Sequence, residues 1–351
     1  MENPVKDYYS DYSFPSLPVI EVNSYQEALS AAKASKTSAM FVNTKETTLE
    51  NTAVRVDLNF SGDIQIVVVL NLVLRGSSSI VVTGKNFTVS NVEFVGGSTS
   101  RNPSEPHFVT VSASNVSIVN FAMKNVKCKA KDLDYFRVTT SARNCSIWNS
   151  LFEGKTNNGV FLRLDFPLDG KVQNCVFLNV DKGSKANGGE AIRIATSSFE
   201  SRTANFLLES CYFKKCVSDP EIVSIKCSGV SVKKCIFTDC DGCRLVLRHA
   251  HNAVVERCFF DGTGIRAYGT KHRFTDLQLV DNSTILLDNK TGSYVCARDC
   301  TLTNIYYMNC RTPIINNGVN CIVRNLENKL EFTEKNLLTA APAAPAAPTT
   351  A

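Results

Sequence analysis

A four-residue pattern recurs along this chain and limits what it can fold into: a polar residue, a small one, an apolar one, then an aromatic. Its clearest copies are Asn149-Ser-Leu-Phe152, Asn174-Cys-Val-Phe177, Ser210-Cys-Tyr-Phe213, Lys234-Cys-Ile-Phe237 and Arg257-Cys-Phe-Phe260. Weaker copies are Asn91-Val-Glu-Phe94, Asn120-Phe-Ala-Met123, Asp276-Leu-Gln-Leu279 and Asn304-Ile-Tyr-Tyr307. Successive copies lie mostly 23 to 30 residues apart. A repeat of that period marks a solenoid, in which each unit buries its apolar face only by stacking on its neighbours.

Within a unit the pattern is β. Short alternating runs such as Val109-Thr-Val111, Val116-Ser-Ile118 and Leu245-Val-Leu247 are separated by Asn, Gly, Ser and Asp. No run between Val56 and Val323 reads as a long amphipathic helix, and the dense leucine signature of leucine-rich repeats is absent. The expected fold is all-β, a single-stranded right-handed parallel β-helix whose coils stack roughly 4.8 Å apart. Equivalent positions then form ladders, one of Cys175, Cys211, Cys235 and Cys258, with phenylalanines beside it. The step of 36 residues from Phe177 to Phe213 implies insertions near 182–189 and 199–204. An open sheet edge at the start of such a solenoid needs a cover. Ser24 and Glu27 form a capping box ahead of Ala28, Leu29, Ala31 and Ala32, so a helix over 24–34 is expected to plug that end. This divides the chain into an N-terminal extension (1–18), a β-helix (19–335) and an Ala/Pro-rich tail (336–351).

The chain has 351 residues, 44% of them hydrophobic, enough to bury a large core. No apolar run approaches 18 residues, so no transmembrane helix is expected. The formal charge of +5 is too mild to argue for nucleic acid and is compatible with a polyanionic ligand. The N-terminus lacks the basic start and apolar core of a signal peptide. Synthesis in a reducing compartment is therefore expected, with release by lysis or carriage on a virus particle as routes to an extracellular polymer. The 14 cysteines are then packed thiols rather than disulfides. The lone C-x-x-C, Cys240 to Cys243, would need two further ligands to hold a metal.

The stretch that carries chemistry runs from Asn187 to His272. It contains Asn187-Gly-Gly-Glu-Ala-Ile-Arg-Ile194, Asp219-Pro-Glu-Ile-Val-Ser-Ile-Lys226, Leu245-Val-Leu-Arg-His249, Gly264-Ile-Arg266 and His272. Four of these segments, in this order and with these gaps, resemble polysaccharide lyase family 6, the alginate lyase and chondroitinase B family. The resemblance extends over about residues 20–325 and is most specific over 187–272. It implies cleavage of a uronate-containing polysaccharide by β-elimination, with alginate as the first substrate class and dermatan or chondroitin sulfate as the next. It also implies Lys226 as base, Arg248 at the leaving group, and calcium held by Asn187, Asp219 and Glu221. This chain has Asp219 where the family usually has Glu, one methylene shorter.

The residue types suit that reaction. Elimination removes the C5 proton of a uronate and expels the C4 oxygen, so the carboxylate must be neutralised, the proton taken and the leaving oxygen assisted. Asn187, Asp219 and Glu221 are hard oxygen donors of the kind calcium prefers, and a bound calcium would act on the substrate carboxylate as a Lewis acid. An unperturbed lysine titrates near ~10.4 and needs neighbouring cations to become a base. If Ile225 and Leu247 stack inside successive coils, Lys226 and Arg248 sit one coil apart on the outside. Strict alternation would put Glu221 and Lys226 on opposite faces, so a corner or bulge must lie between them. A guanidinium does not release its proton near neutrality, so Arg248 would stabilise charge, with water, His249 or Tyr268 as proton donors. His249 also fits a structural hydrogen bonder. Arg193 and Arg266 project outward to bind carboxylate or sulfate, Glu190 buttresses one of them, and His272 is a candidate substrate contact.

Two other functions fit the fold. A pectinase-type hydrolase needs clustered carboxylates as acid and base, and Asp219 with Glu221 is the candidate pair. A non-catalytic carbohydrate-binding β-helix or virion spike needs none of this chemistry.

Overall fold

The computed structural model of the chain describes residues 3–96, 98–99, 107–128, 133–181, 188–290 and 292–338. Asn187, most of the insertion expected at 182–189 and the tail from 339 on lie outside them.

Parallel strands, each paired with its equivalent in the next coil, make one continuous sheet wound into a β-helix. The aromatic position of the repeat sets the register. Phe94 pairs with Met123, Met123 with Phe152, and the ladder continues through Phe177, Phe213, Phe237, Phe260, Leu279 and Tyr307. All nine copies of the pattern therefore occupy one position in nine coils. The rings from Phe152 to Phe260 stack face to face, with centroids 4.7, 4.9, 4.7 and 4.9 Å apart. Cys175, Cys211, Cys235 and Cys258 are fully buried beside them, as free thiols. Each thiol lies 3.6 to 3.7 Å from a carbonyl of the preceding coil, at Ile147, Val172, Leu208 and Val232. Such contacts give the sulfur a weak partner inside an apolar column.

The first residue of the pattern is a corner. All nine, from Asn91 to Asn304, have positive φ, between 45° and 61°. Asparagine and aspartate visit this left-handed region more readily than other residues with a Cβ. Their side chains also bond from coil to coil, as Asn120 to Asn91 (3.2 Å) and Asn304 to Asp276 (2.8 Å). The polar residue in the repeat is thus a bend that turns one strand into the next.

The helix Tyr25–Ala34 covers the first coils. Ser24 accepts from the Glu27 amide, Glu27 accepts from the Asn23 amide, and Ala28 and Ala32 are fully buried. The N-terminal residues pack on the outside of the barrel. Val5 and Tyr9 are buried against Leu151, Val176, Tyr212, Ile236 and Phe259, with Leu337 of the helix Glu334–Leu338 on the same face. The packed body therefore reaches into both segments that composition marks as an extension and a tail.

Candidate active site

A different face carries the chemistry. The strands Ile192–Ile194, Glu221–Ile225, Arg244–Leu247, Gly264–Ala267 and Thr284–Leu287 stack in register, with Ile194, Ile225, Leu247, Ala267 and Leu287 in one inward column. The next residues in four of these coils are Lys226, Arg248, Tyr268 and Asp288. Each donates its amide to the carbonyl of the previous coil's column residue, at 2.8 to 3.0 Å. Lys226 and Arg248 are thus one coil apart at a single corner. Two residues earlier the side chains point outward, and Arg163, Arg193, Ser224, Val246 and Arg266 share that row.

The irregularity needed between Glu221 and Lys226 is present. Glu221 pairs with Arg244 but Val223 pairs with Leu245, so one extra residue, the buried Ile222, bulges from the strand. The bulge resets the alternation and brings Glu221 to the side of the corner.

Lys226 is 9% exposed. Burial pushes its ammonium below the ordinary lysine range, and the cations Arg193 and Arg248 push it further, against opposing pulls from Glu190 and Glu221. Arg193 is gripped by Glu190, through Nε at 3.0 Å and Nη2 at 2.6 Å. Burial pushes the Glu190 carboxyl up, but the Arg193 bonds outweigh it and hold the group ionised. Arg248 donates from Nη1 to Glu221 Oε1 (3.0 Å) and from Nη2 to the Tyr294 hydroxyl (2.8 Å). Arg266 donates from Nε and Nη2 to Asp288 Oδ2 at 2.9 and 2.7 Å. In each arginine part of the fork is fixed by a carboxylate, and in Arg248 a further N–H by Tyr294; among the described residues the other N–H groups remain open to an anion.

The histidines divide. His249 sits at the site, Nδ1 3.0 Å from Glu200 and its ring stacked on Tyr294 at 5.3 Å. The expectation that His272 contacts substrate is corrected. Its ring is fully buried, Nδ1 accepts from the Ala253 amide, and Nε2 lies 2.7 Å from the Tyr268 carbonyl. Burial holds it down to about 4, so it is a neutral interior bridge between coils.

Three residues at the site escaped the reading of motifs. Tyr294 is one, stacked on Tyr268 with centroids 4.6 Å apart. Glu200, the partner of His249, comes from the inserted segment. Lys155 lies beneath, fully buried, with Nζ 2.5 Å from the Asn157 carbonyl and 3.5 Å from that of Gly189. Burial pulls it down to about 8, opposed by Glu190, Asp134 and Asp219. The signal for Tyr294 was positional: it follows Asp288 by six residues, and Asp288 stands at the same corner two coils beyond Arg248 and three beyond Lys226.

The calcium ligand set can be tested against these contacts. Asp219 is 2% exposed; its Oδ2 accepts from the amides of Gly188 (2.6 Å) and Gly189 (3.3 Å), and its Oδ1 from the Glu221 amide (2.9 Å). Glu221 Oε1 is taken by Arg248, which leaves Oε2 as a buried oxygen without a hydrogen-bond partner among the described residues. Nor do three His, Cys, Asp or Glu side chains converge anywhere among the described residues. Calcium takes six to eight oxygens, carbonyls and waters among them; of the expected set, Glu221 Oε2 is a buried oxygen open to a cation, Asp219 already accepts from three amides, and Asn187 lies outside the described residues.

The sequence model of a family described as Chondroitinase B matches residues 53–285, and the chain belongs to that family, within polysaccharide lyase family 6. Among solved structures, the alginate lyase AlyGC of polysaccharide lyase family 6 superimposes with a TM-score of 0.70 at 17% identity, over 89% of this chain and 52% of that one. A mannuronic acid-specific family 6 lyase from human gut microbiota gives 0.68 at 16%, over 89% and 83%. A family 6 lyase from Pseudopedobacter saltans gives 0.67 at 15%, over 94% and 96%. The chain thus spans about half the length of AlyGC and nearly all of the Pseudopedobacter protein. Comparison with curated protein sequences gives no match.

Proposed function

We propose that this chain cleaves a uronate-containing polysaccharide by β-elimination, with alginate as its first substrate class and dermatan or chondroitin sulfate as its second. The observation that carries the reading is Lys226: a nearly buried amine, lowered in pKa, set between Arg193 and Arg248 at one corner of the solenoid. In the neutral form its Nζ removes the C5 proton. The free N–H groups of Arg193, Arg248 and Arg266 neutralise the uronate carboxylate and the charge that grows on it as C5 is deprotonated. The C4–O bond then breaks and leaves a C4=C5 double bond. The test is purified protein on alginate, dermatan sulfate and pectate, read by the ultraviolet absorbance of that double bond.

Arg193, Arg248 and Arg266 can neutralise the uronate carboxylate by themselves, so no step is routed through calcium. Elimination is expected to persist in excess chelator. Complete loss, restored by calcium, would instead put a metal at Asn187, Asp219 and Glu221.

The pH profile gives a second check. The rate rises with pH as Lys226 loses its proton, and Arg193 is among the cations that hold that transition below the ordinary lysine range. Arg193→Gln removes a positive charge and leaves Glu190 unpaired beside the ammonium; both changes raise the lysine pKa. The ascending limb should move to higher pH, with the deficit greatest at low pH and shrinking toward the alkaline side. An unmoved limb with a uniformly lower rate would confine Arg193 to substrate binding.

A further inference from the structure

Elimination leaves one proton unaccounted for, the one that the departing C4 oxygen must receive. Arg248 is beside the base but holds its protons far above neutral pH. Three other groups at the corner could supply one. The Tyr268 hydroxyl is engaged with the Asp288 carboxylate. His249 is tied at Nδ1 to Glu200, and burial lowers its pKa, which favours the neutral ring whose one N–H faces that carboxylate. Tyr294 differs from both. Arginine has donors only, so in the 2.8 Å contact with Arg248 Nη2 the phenol oxygen is the acceptor. Its own O–H is not used in that bond, and among the described residues no acceptor takes it. The ring is held by stacking on Tyr268 and His249, at 4.6 and 5.3 Å. The loop that carries it leaves the corner occupied by Lys226 and Arg248.

We infer that Tyr294 is the proton donor to the leaving group, with Arg248 as the group that makes the phenol able to donate. This rests on the elimination reading of the same site. Lys226 Nζ takes the C5 proton, the C5–H electrons become the C4=C5 bond, the C4–O bond breaks, and the leaving oxygen takes the Tyr294 proton. The phenolate so formed is stabilised by the Arg248 guanidinium already bonded to it. Return of the proton from the Lys226 ammonium to the phenolate through solvent restores both groups, and no other reactant is consumed.

Tyr294→Phe keeps the ring and its stacking and deletes only the hydroxyl. Its effect should depend on the leaving group. On polysaccharide, kcat is expected to fall by about 10²-fold or more, the usual worth of a positioned general acid. On a uronoside carrying fluoride or a nitrophenoxide at C4, which departs without protonation, the variant should run within about threefold of wild type. Lys226→Met should be inactive on both substrates. An equal loss on both substrates would overturn the inference and leave Tyr294 as a support for Arg248; so would full activity on polysaccharide. Neither result would touch the elimination reading while Lys226→Met stays dead. Wild type inert on both substrates would remove that reading and this inference together.

Discussion

Lys226→Met loses elimination by about 10²–10⁴-fold while the protein unfolds at nearly the wild-type denaturant concentration. The first half follows from the role of the amine, since a positioned base contributes about that much. The second follows from its surroundings. Methionine is unbranched and fills a similar space, and the carboxylates nearest the ammonium keep other partners: Glu190 holds Arg193 and Glu221 holds Arg248. No carboxylate is left buried and alone, so the usual penalty for deleting one member of a buried ion pair does not arise. Residual activity above roughly one tenth of wild type would remove Lys226 from the base role.

Phe213→Ala is expected to cost about 3–5 kcal/mol, read as a shift in the midpoint of chemical denaturation. Phe213 is fully buried and stacks on both Phe177 (4.9 Å) and Phe237 (4.7 Å). Deleting the ring removes two stacked contacts and opens a cavity that neighbouring coils cannot fill, since each is fixed by its own backbone pairing above and below. A loss under about 1 kcal/mol would mean that the coils relax into the gap and that the ladder is not the main packing element.

The solenoid was legible because its units must repeat. Burial at the aromatic position is imposed in every coil by the same stacking, so Phe152 through Phe260 and the four cysteines announced both the fold and its register. The corner was legible in part for the same reason. Lys226 and Arg248 each follow an inward residue of the same column, and equal offsets from a ladder position put side chains in line. What the sequence hides is contact made off the ladder. Tyr294 stands in a loop with no motif, 46 residues from Arg248, whose guanidinium it meets. His272 looked like a polar group near the site. Its direction depends on the turn at 268–272, which folds the ring inward to bond the Tyr268 carbonyl. Asp219 is a hard oxygen donor by type, and its carboxylate accepts from the amides of Gly188, Gly189 and Glu221; no alternation of residues shows where a short side chain will find backbone N–H groups.

The central claim is that this corner performs elimination. The most direct test is to follow wild type and Lys226→Met on alginate side by side, with ultraviolet absorbance for the C4=C5 double bond and a reducing-end assay for chain scission. The account predicts that wild type generates both signals in equal molar amounts and Lys226→Met neither. Reducing ends without unsaturation would show hydrolysis instead, and alginate retained by wild type with neither signal would show a binding module built on a lyase fold.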